Sequence, residues 1–385
     1  MGKKLKKNVP ELRFPEFDNN WDTDRIDNFL VRHVDSVDVD LETNYKQIGI
    51  RSHGKGIFHK EAVTGRELGN KRVYWVHPSA FVVNIVFAWE QAVALTSSDE
   101  DGFIASHRFL MFLPKQNRAS LKFVILFFLR ERGKYLLELA SPGGAGRNKT
   151  LGQQNFAELE ITLPKIAEQE KIASFLGAVD TRLNQLRRKR ELLQTYKRGV
   201  MQKIFAQKIR FKSAIGSPFP EWEQKKLGQF APLQRGFDLP VDNIVEGQFP
   251  VVFSNGILKR HHEYKVTSPG VVTGRSGTIG KVMYIEENFC PHNTSLWVTD
   301  FKGNFPRFVY YFYIWLDLTR FSSGSGVPTL NRNDVHTYSI DFPLIQEQEK
   351  IANFLTAIDR KIETLTRQIE QTEQFKKGLL QKLFI

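Results

Sequence analysis

Arginine, lysine and hydroxyl side chains spaced by glycines suit an anion or the edge of a base. Gly274-Arg275-Ser276-Gly277-Thr278-Ile279-Gly280-Lys281 supplies that set. Its glycines let backbone approach a ligand closely. Arg275 can grip guanine through two parallel hydrogen bonds, while Lys281, Ser276 and Thr278 suit phosphate. The same residues also suit an ordinary hairpin turn. His292, Asn293 and Ser295 follow on the next apolar run, and the Asn293 amide matches adenine. Turn capping by Asn293 and burial of His292 are the alternative. Ser254-Asn255-Gly256 forms a similar turn earlier. In the first part of the chain, Arg51-Ser52-His53-Gly54-Lys55-Gly56 is the analogous basic turn. There Ser106-His107-Arg108 takes the place of Cys290 to Ser295. Arg147, Lys149 and Asn331 stand in or beside the glycine-rich stretches Pro142 to Thr150 and Ser322 to Thr329. They suit backbone phosphate contact, or a plain connector.

Catalytic patterns are weak. Gly274 to Lys281 is not a P-loop, because the spacing is wrong and Val282 stands where Ser or Thr must meet magnesium. Pro240-Val241-Asp242 with Glu263-Tyr264-Lys265 matches the order of metal-dependent nucleases, but Glu223-Gln224-Lys225 shows how freely such triplets arise. The nine histidines have no metal-ligand spacing, and His261-His262 reads as a surface turn. No N-P-P-aromatic signature of amino-methyltransferases and no G-x-G-x-x-G after a strand is present. This pattern points to binding without chemistry, and we expect neither a catalytic residue nor a metal or cofactor on this chain.

The elements that must position these loops are duplicated. Leu163 to Phe205 aligns without a gap on Phe342 to Phe384, with about 20 of 43 positions identical. Both copies carry P-x-I-x-E-Q-E-K-I-A-x-F-L-x-A-x-D, from Pro164 to Asp180 and Pro343 to Asp359, and close with K-x-G-x-x-Q-K-x-F. Apolar residues recur at alternating steps of four and three. In the first copy they are Ile172, Leu176, Val179, Leu183, Leu186, Leu193, Val200 and Ile204; in the second, Ile351, Leu355, Ile358, Ile362, Leu365, Ile369, Leu379 and Leu383. This period predicts a coiled-coil seam on two helices of about 40 residues, each roughly 60 Å long. Lys197 and Lys376 interrupt both seams at the same place, and polar residues there can fix register. Pro164 and Pro343 mark the starts, and Glu168, Glu170, Glu347 and Glu349 place negative charge in the first turns. A pure dimerisation or packing device would carry the same seam.

An echo precedes each variable block: Phe14-Pro15-Glu16 with Trp21, then Phe219-Pro220-Glu221 with Trp222. Between these landmarks, residues 30 to 140 and 231 to 320 show no gap-free match. Both read as mixed α/β modules, with β-type runs such as Val73 to Val76, Val271 to Thr273 and Ser295 to Val298 and an apolar helix over Phe308 to Leu318.

Composition supports a folded chain that attracts a polyanion. Its 385 residues are 41% apolar with a formal net charge of +13. The excess lies in the first repeat: residues 163 to 212 hold 13 Lys and Arg against 4 Asp and Glu, while 342 to 385 hold 7 against 6. Arg187-Arg188-Lys189-Arg190 could follow phosphates, dock an acidic partner or form a solvated face. The longest apolar run, Phe123 to Leu129, is far below the roughly 20 residues of a membrane span. We expect no membrane partner. The lysine-rich start has no apolar segment behind it, and the one cysteine, Cys290, excludes an internal disulfide, so a cytoplasmic location is expected.

The ordered set of doubled P-x-I-x-E-Q-E-K-I-A-x-F-L helices, F-P-E plus tryptophan lead-ins and G-R-S-G-T-I-G-K resembles the specificity subunit of type I restriction-modification systems over nearly the whole chain. The resemblance implies an α+β protein: two mixed α/β target recognition domains separated by two long antiparallel helices forming a coiled coil. The expected boundaries are residues 1–162 and 213–341 for the recognition domains and 163–212 and 342–385 for the helical spacers. It further implies a non-catalytic, sequence-specific reader of a bipartite asymmetric site in double-stranded DNA. Two modification (methyltransferase) subunits using S-adenosylmethionine, and restriction subunits using ATP and magnesium to translocate and cut, are the implied partners. A stand-alone DNA-binding or nuclease protein with a coiled-coil assembly region is the alternative.

Overall fold

The computed structural model describes residues 8–143, 149–323 and 328–385. The chain folds as two units, Met1–Gln185 with Ile369–Ile385, and Leu186–Gln368. Two long helices, Ile166–Phe205 and Ile345–Lys382, each contribute one portion to each unit. None of the described helices is long and apolar enough to cross a membrane.

In the first unit an antiparallel two-stranded ribbon, Asp22–Arg25 on Glu160–Leu163, closes the variable block, with Asp22 opposite Leu163. Inside it a four-stranded antiparallel sheet runs in the order Leu30–His33, Phe109–Pro114, Phe81–Asn84, Val93–Leu95. Phe81–Asn84 is buried throughout, so a continuous apolar run replaces the alternation of a half-exposed strand. A second sheet orders Ile57–Thr64, Asn44–Ile50, Ile104–Ser106 and Val73–Trp75, and its central pair is parallel. Phe123 and Phe128 of helix Leu121–Phe128 fill the core beside Phe81 and Phe156.

The second unit repeats that plan. Glu223–Lys226 pairs with Ser339–Phe342 as the closing ribbon. The four-stranded sheet orders Leu233–Arg235, Ser295–Val298, Gly270–Gly274, Val282–Ile285. The smaller sheet orders Gly256–His261, Phe249–Phe253, Cys290–Pro291, again with a parallel pair. Helix Pro306–Leu316 takes the place of Leu121–Phe128, and its Phe308 and Phe312 meet Phe230. The two blocks thus share one topology although their sequences align nowhere without gaps.

In each unit the beginning of one long helix meets the end of the other, an antiparallel pairing. Ile172 and Leu176 share a core with Leu379, Leu383 and Phe384 in the first unit. Val200 and Ile204 share one with Ile351, Leu355 and Ile358 in the second. Leu183, Leu186, Leu365 and Ile369 are buried too, while Val179, Leu193 and Ile362 are partly so. Each fully buried Leu or Ile contributes about 1.5–3 kcal/mol. The period-3.5 seam is therefore the buried stripe.

The repeated acidic start of the two helices has a second use besides the helix dipole. Glu168 is buried, accepting from Arg13 Nε at 2.8 Å and Nη2 at 2.7 Å, and from Trp21 Nε1 at 3.3 Å. Glu347 accepts from Arg210 Nε at 3.3 Å, Arg210 Nη2 at 2.8 Å and Trp222 Nε1 at 3.1 Å. The next residue is a buried bracket. Gln169 accepts from Ser120 N–H at 2.9 Å and donates to Pro164 O at 2.8 Å. Gln348 accepts from Phe305 N–H at 2.9 Å and donates to Pro343 O at 2.9 Å. Ser120 and Phe305 are the N-cap residues of the block helices, so each glutamine satisfies an otherwise orphaned backbone donor there.

Candidate nucleic-acid interface

In the second unit four connections meet at one edge. Backbone hydrogen bonds tie Arg275 N–H to Thr294 O at 2.9 Å and Leu330 N–H to Arg275 O at 2.8 Å. Lys281 Nζ donates to Asn255 O at 2.5 Å, joining the Gly274–Lys281 loop to the Ser254-Asn255 turn. Gly274 has no room for a Cβ, which would lie 1.6 Å from Thr278 O, and Gly277 and Gly280 adopt positive φ of 80° and 85°. Ser276, Gly277 and Thr278 form the tip, where Gly277 N–H donates to Pro328 O at 3.1 Å. A concavity of about 650 Å³ opens beside this edge, with Arg235, Arg275, Asn331, Arg332 and Asn333 in its wall. Among the described residues, neither the Arg275 nor the Arg332 guanidinium has a hydrogen-bond or ion-pair partner. Asn331 caps helix Arg332–Thr337 by accepting from Asn333 N–H at 3.0 Å.

Three of the expected reader positions have structural jobs. Ser295 is fully buried and donates its hydroxyl toward Val252 O at 3.0 Å and His292 O at 2.8 Å, so it offers no surface to a ligand. His292 is buried against the Phe253 ring, 4.3 Å between centroids, and burial lowers its pKa. Asn293 is exposed to a degree but donates to Asp238 Oδ1 at 2.6 Å, which also holds Arg235 Nη2 at 2.5 Å.

The first unit gathers the equivalent connections. Ile85 N–H donates to Arg108 O at 2.9 Å and Leu151 N–H to Ile85 O at 2.8 Å, the same pair of bonds that Arg275 makes. The counterpart of the Gly274–Lys281 loop is therefore Ile85–Gln91, which the sequence reading passed over. The register of Asn84 opposite Phe109 and Gly274 opposite Ser295 makes the same equivalence. Arg51–Gly56, expected to match Gly274–Lys281, instead joins Asn44–Ile50 to Ile57–Thr64 and so matches Ser254-Asn255. Both are turns between the same two strands; basic composition alone misassigned them. Ser106-His107-Arg108 does link the strands that His292–Thr294 links.

Side-chain engagement sorts these positions. Arg51 donates to Ile57 O at 2.9 Å and lies 4.8 Å from the Phe58 ring, and Ser52 donates to Glu90 Oε2 at 2.8 Å. Ser106 Oγ accepts from Arg108 N–H at 3.3 Å, and His107 N–H donates to Arg72 O at 3.1 Å. Lys149 pairs with Glu138 and lies 5.6 Å from the Trp89 ring. Lys55 and Arg108 are exposed, and neither side chain has a partner among the described residues. Arg147 lies outside the described residues.

Asp242 of the nuclease-like pattern belongs to no three-ligand group among the described residues. Among the described residues the grouping able to offer three metal ligands is His261, His262 and Glu263, without Asp242. His261 Nδ1 is already engaged by Val245 N–H at 3.2 Å. Lys265, 3.3 Å away, holds the Glu263 carboxyl below its ordinary range and would oppose a cation there.

Two units of one topology, each bringing unlike polar or apolar loops to the same edge, define a duplicated recognition fold on paired helices. The family described as Type I restriction modification DNA specificity domain matches residues 81–194 and 220–374, and the chain belongs to it. It is a specificity subunit, the DNA-recognition component and not a catalytic one. The chain is 23% identical over 424 residues to the type I restriction enzyme MjaVIII specificity subunit of Methanocaldococcus jannaschii, covering 98% of this chain and 94% of that one. It is 24% identical over 314 residues to the putative MjaX specificity subunit of the same organism, covering 76% and 73%. The fold is similar to the crystal structure of a type I restriction-modification S subunit from M. genitalium. That match has a TM-score of 0.62 at 18% identity and covers 98% of this chain and 99% of the other.

Proposed function

We propose that this chain reads a bipartite, asymmetric sequence in double-stranded DNA, one half with each variable block. The observation that carries the reading is a pair of equivalent backbone positions filled by opposite chemistry: Ile85 in the first unit and Arg275 in the second. Readers that differ at a matched position cannot both be satisfied by a palindrome. The functional divisions we assign are 1–162 and 213–341 for recognition and 163–212 and 342–385 for spacing. Arg275, Ser276, Gly277, Thr278, Lys281, Ser254, Asn255 and Asn331 form the second reading edge; Lys55 and Arg108, with Arg51, Ser52, Ser106, His107 and Lys149, form the first. Arg275 is the base reader, and the lysines hold phosphate.

Two modification subunits that methylate adenine with S-adenosylmethionine, and restriction subunits that use ATP and magnesium, supply the chemistry, and the assembly works in the cytoplasm. This chain carries no cofactor of its own in that reading. Support comes from family membership, the basic balance and the unlike edges. Exchanging residues 231–320 for the same block of another family member, in a strain with the partner subunits, tests it. Methylation sequencing should show one half of the motif changed and the other kept; change in both halves would refute it.

A further inference from the structure

We infer that Phe87 reads a thymine, its ring packed on the 5-methyl group in the half-site of the first unit. This rests on the reading that each unit contacts DNA through its matched loops. Ile85-Val86-Phe87-Ala88-Trp89 is five apolar residues in a row where the second unit has Arg275 to Ile279. Phe87 is the most open of them, 39% exposed, while Ala88 is fully buried. The exposure is built, since Val86 N–H donates to buried Asn84 Oδ1 at 3.1 Å and Phe87 N–H to Asn84 O at 3.2 Å. Phe87 O then accepts from both Glu90 N–H and Ala92 N–H at 3.0 Å. A loop so laced loses little freedom on binding.

Cation-bearing loops flank it. Ile85 N–H bonds to Arg108 O at 2.9 Å, and His53 and Gly54 N–H donate to Glu90 O at 2.6 Å and Gln91 O at 3.0 Å, which joins the turn carrying Arg51 and Lys55. An apolar tip between cations matches a base edge between phosphates. Because the ring offers neither donor nor acceptor, it would strip water from the polar edges of adenine, guanine or cytosine without replacement. Thymine alone presents a methyl there.

The test uses the chain assembled with its modification subunits and duplexes carrying its motif, each thymine of one half-site replaced singly by uracil. One replacement should weaken the wild-type complex about fourfold, the worth of one buried methyl. Phe87→Ala should bind the thymine duplex at least that much more weakly and ignore the replacement. Uracil probes that all bind like thymine overturn the inference, and this wild-type arm decides even if F87A folds poorly. An F87A complex still sensitive to the replacement also overturns it. So does F87A that loses a modification subunit while keeping its motif, which would assign the ring to a protein partner. A wild-type motif without two separable halves would instead sink the bipartite reading beneath it.

Discussion

Lys197 Nζ lies 2.6 Å from Asp359 Oδ1 and 2.8 Å from Oδ2, and the same pairing recurs where Lys376 Nζ lies 2.6 Å from Asp180 Oδ1. Each lysine interrupts the apolar seam of one repeat and each aspartate closes the opening motif of the other. Tyr311 strengthens the second-unit pair by donating to Asp359 Oδ2 at 2.7 Å. The pair is only partly buried, with the Lys197 side chain 16% and that of Asp359 36% exposed. We expect Lys197→Ala to cost about 1–3 kcal/mol. In denaturant unfolding, the double variant with Asp359→Ala should lose less than the sum of the single variants. Strict additivity would mean that the two side chains do not interact.

Glu347→Gln should be more damaging. It leaves the Arg210 guanidinium facing a neutral amide in a buried place, a loss of roughly 3 kcal/mol. Hydrogen exchange should show the loss in the second unit, around Trp222 and the ribbon Glu223–Lys226. Glu168→Gln should do the same to the first unit. Equal loosening of both units by either variant would contradict the assignment of separate clamps.

Arg275→Ala should cost about 1–3 kcal/mol on the cognate site and relax one base position in one half. Lys281→Ala should weaken all sequences alike and flatten the salt dependence. Binding selection on random duplexes at two salt concentrations separates the two outcomes. A uniform loss for Arg275→Ala would make it a phosphate contact.

Acid should loosen the second unit. Burial, and then the nearby Arg332, hold the His336 imidazole below its ordinary range, while its Nε2 accepts Leu233 N–H at 2.8 Å. Burial lowers His292 in the same direction. The unfolded chain therefore binds more protons just below the ordinary histidine value. This stability is whole above about pH 6.5 and is lost as the pH falls through the folded-state values. His336→Gln, which keeps an acceptor, should flatten the fall in thermal midpoint between about pH 7 and about pH 5. An unchanged slope would exonerate His336.

Periodicity made the paired helices legible, because a seam such as Ile351, Leu355 and Ile358 is a property of spacing alone. The Glu168 and Glu347 clamps were only half legible. Their repetition was visible, but the arginine each holds lies 155 or 137 positions away. The common topology of the blocks was not readable, since Phe81–Asn84 and Gly270–Gly274 share burial and pairing rather than residue types. For the same reason basic composition draws attention to Gly274–Lys281 and passes over the apolar Ile85–Gln91, which holds the equivalent place in the first unit. Ser295, expected at the surface, is buried because the strand that begins there turns its hydroxyl onto Val252 O.

The lysine–aspartate exchange makes one copy of the repeat incomplete but self-complementary: it owns a key and a lock that cannot fit each other within the same helix. A half-length chain of one block and one rod would find its missing counterpart in a twin. Such twins would carry identical heads, so the sequence they select would have to read the same from either strand.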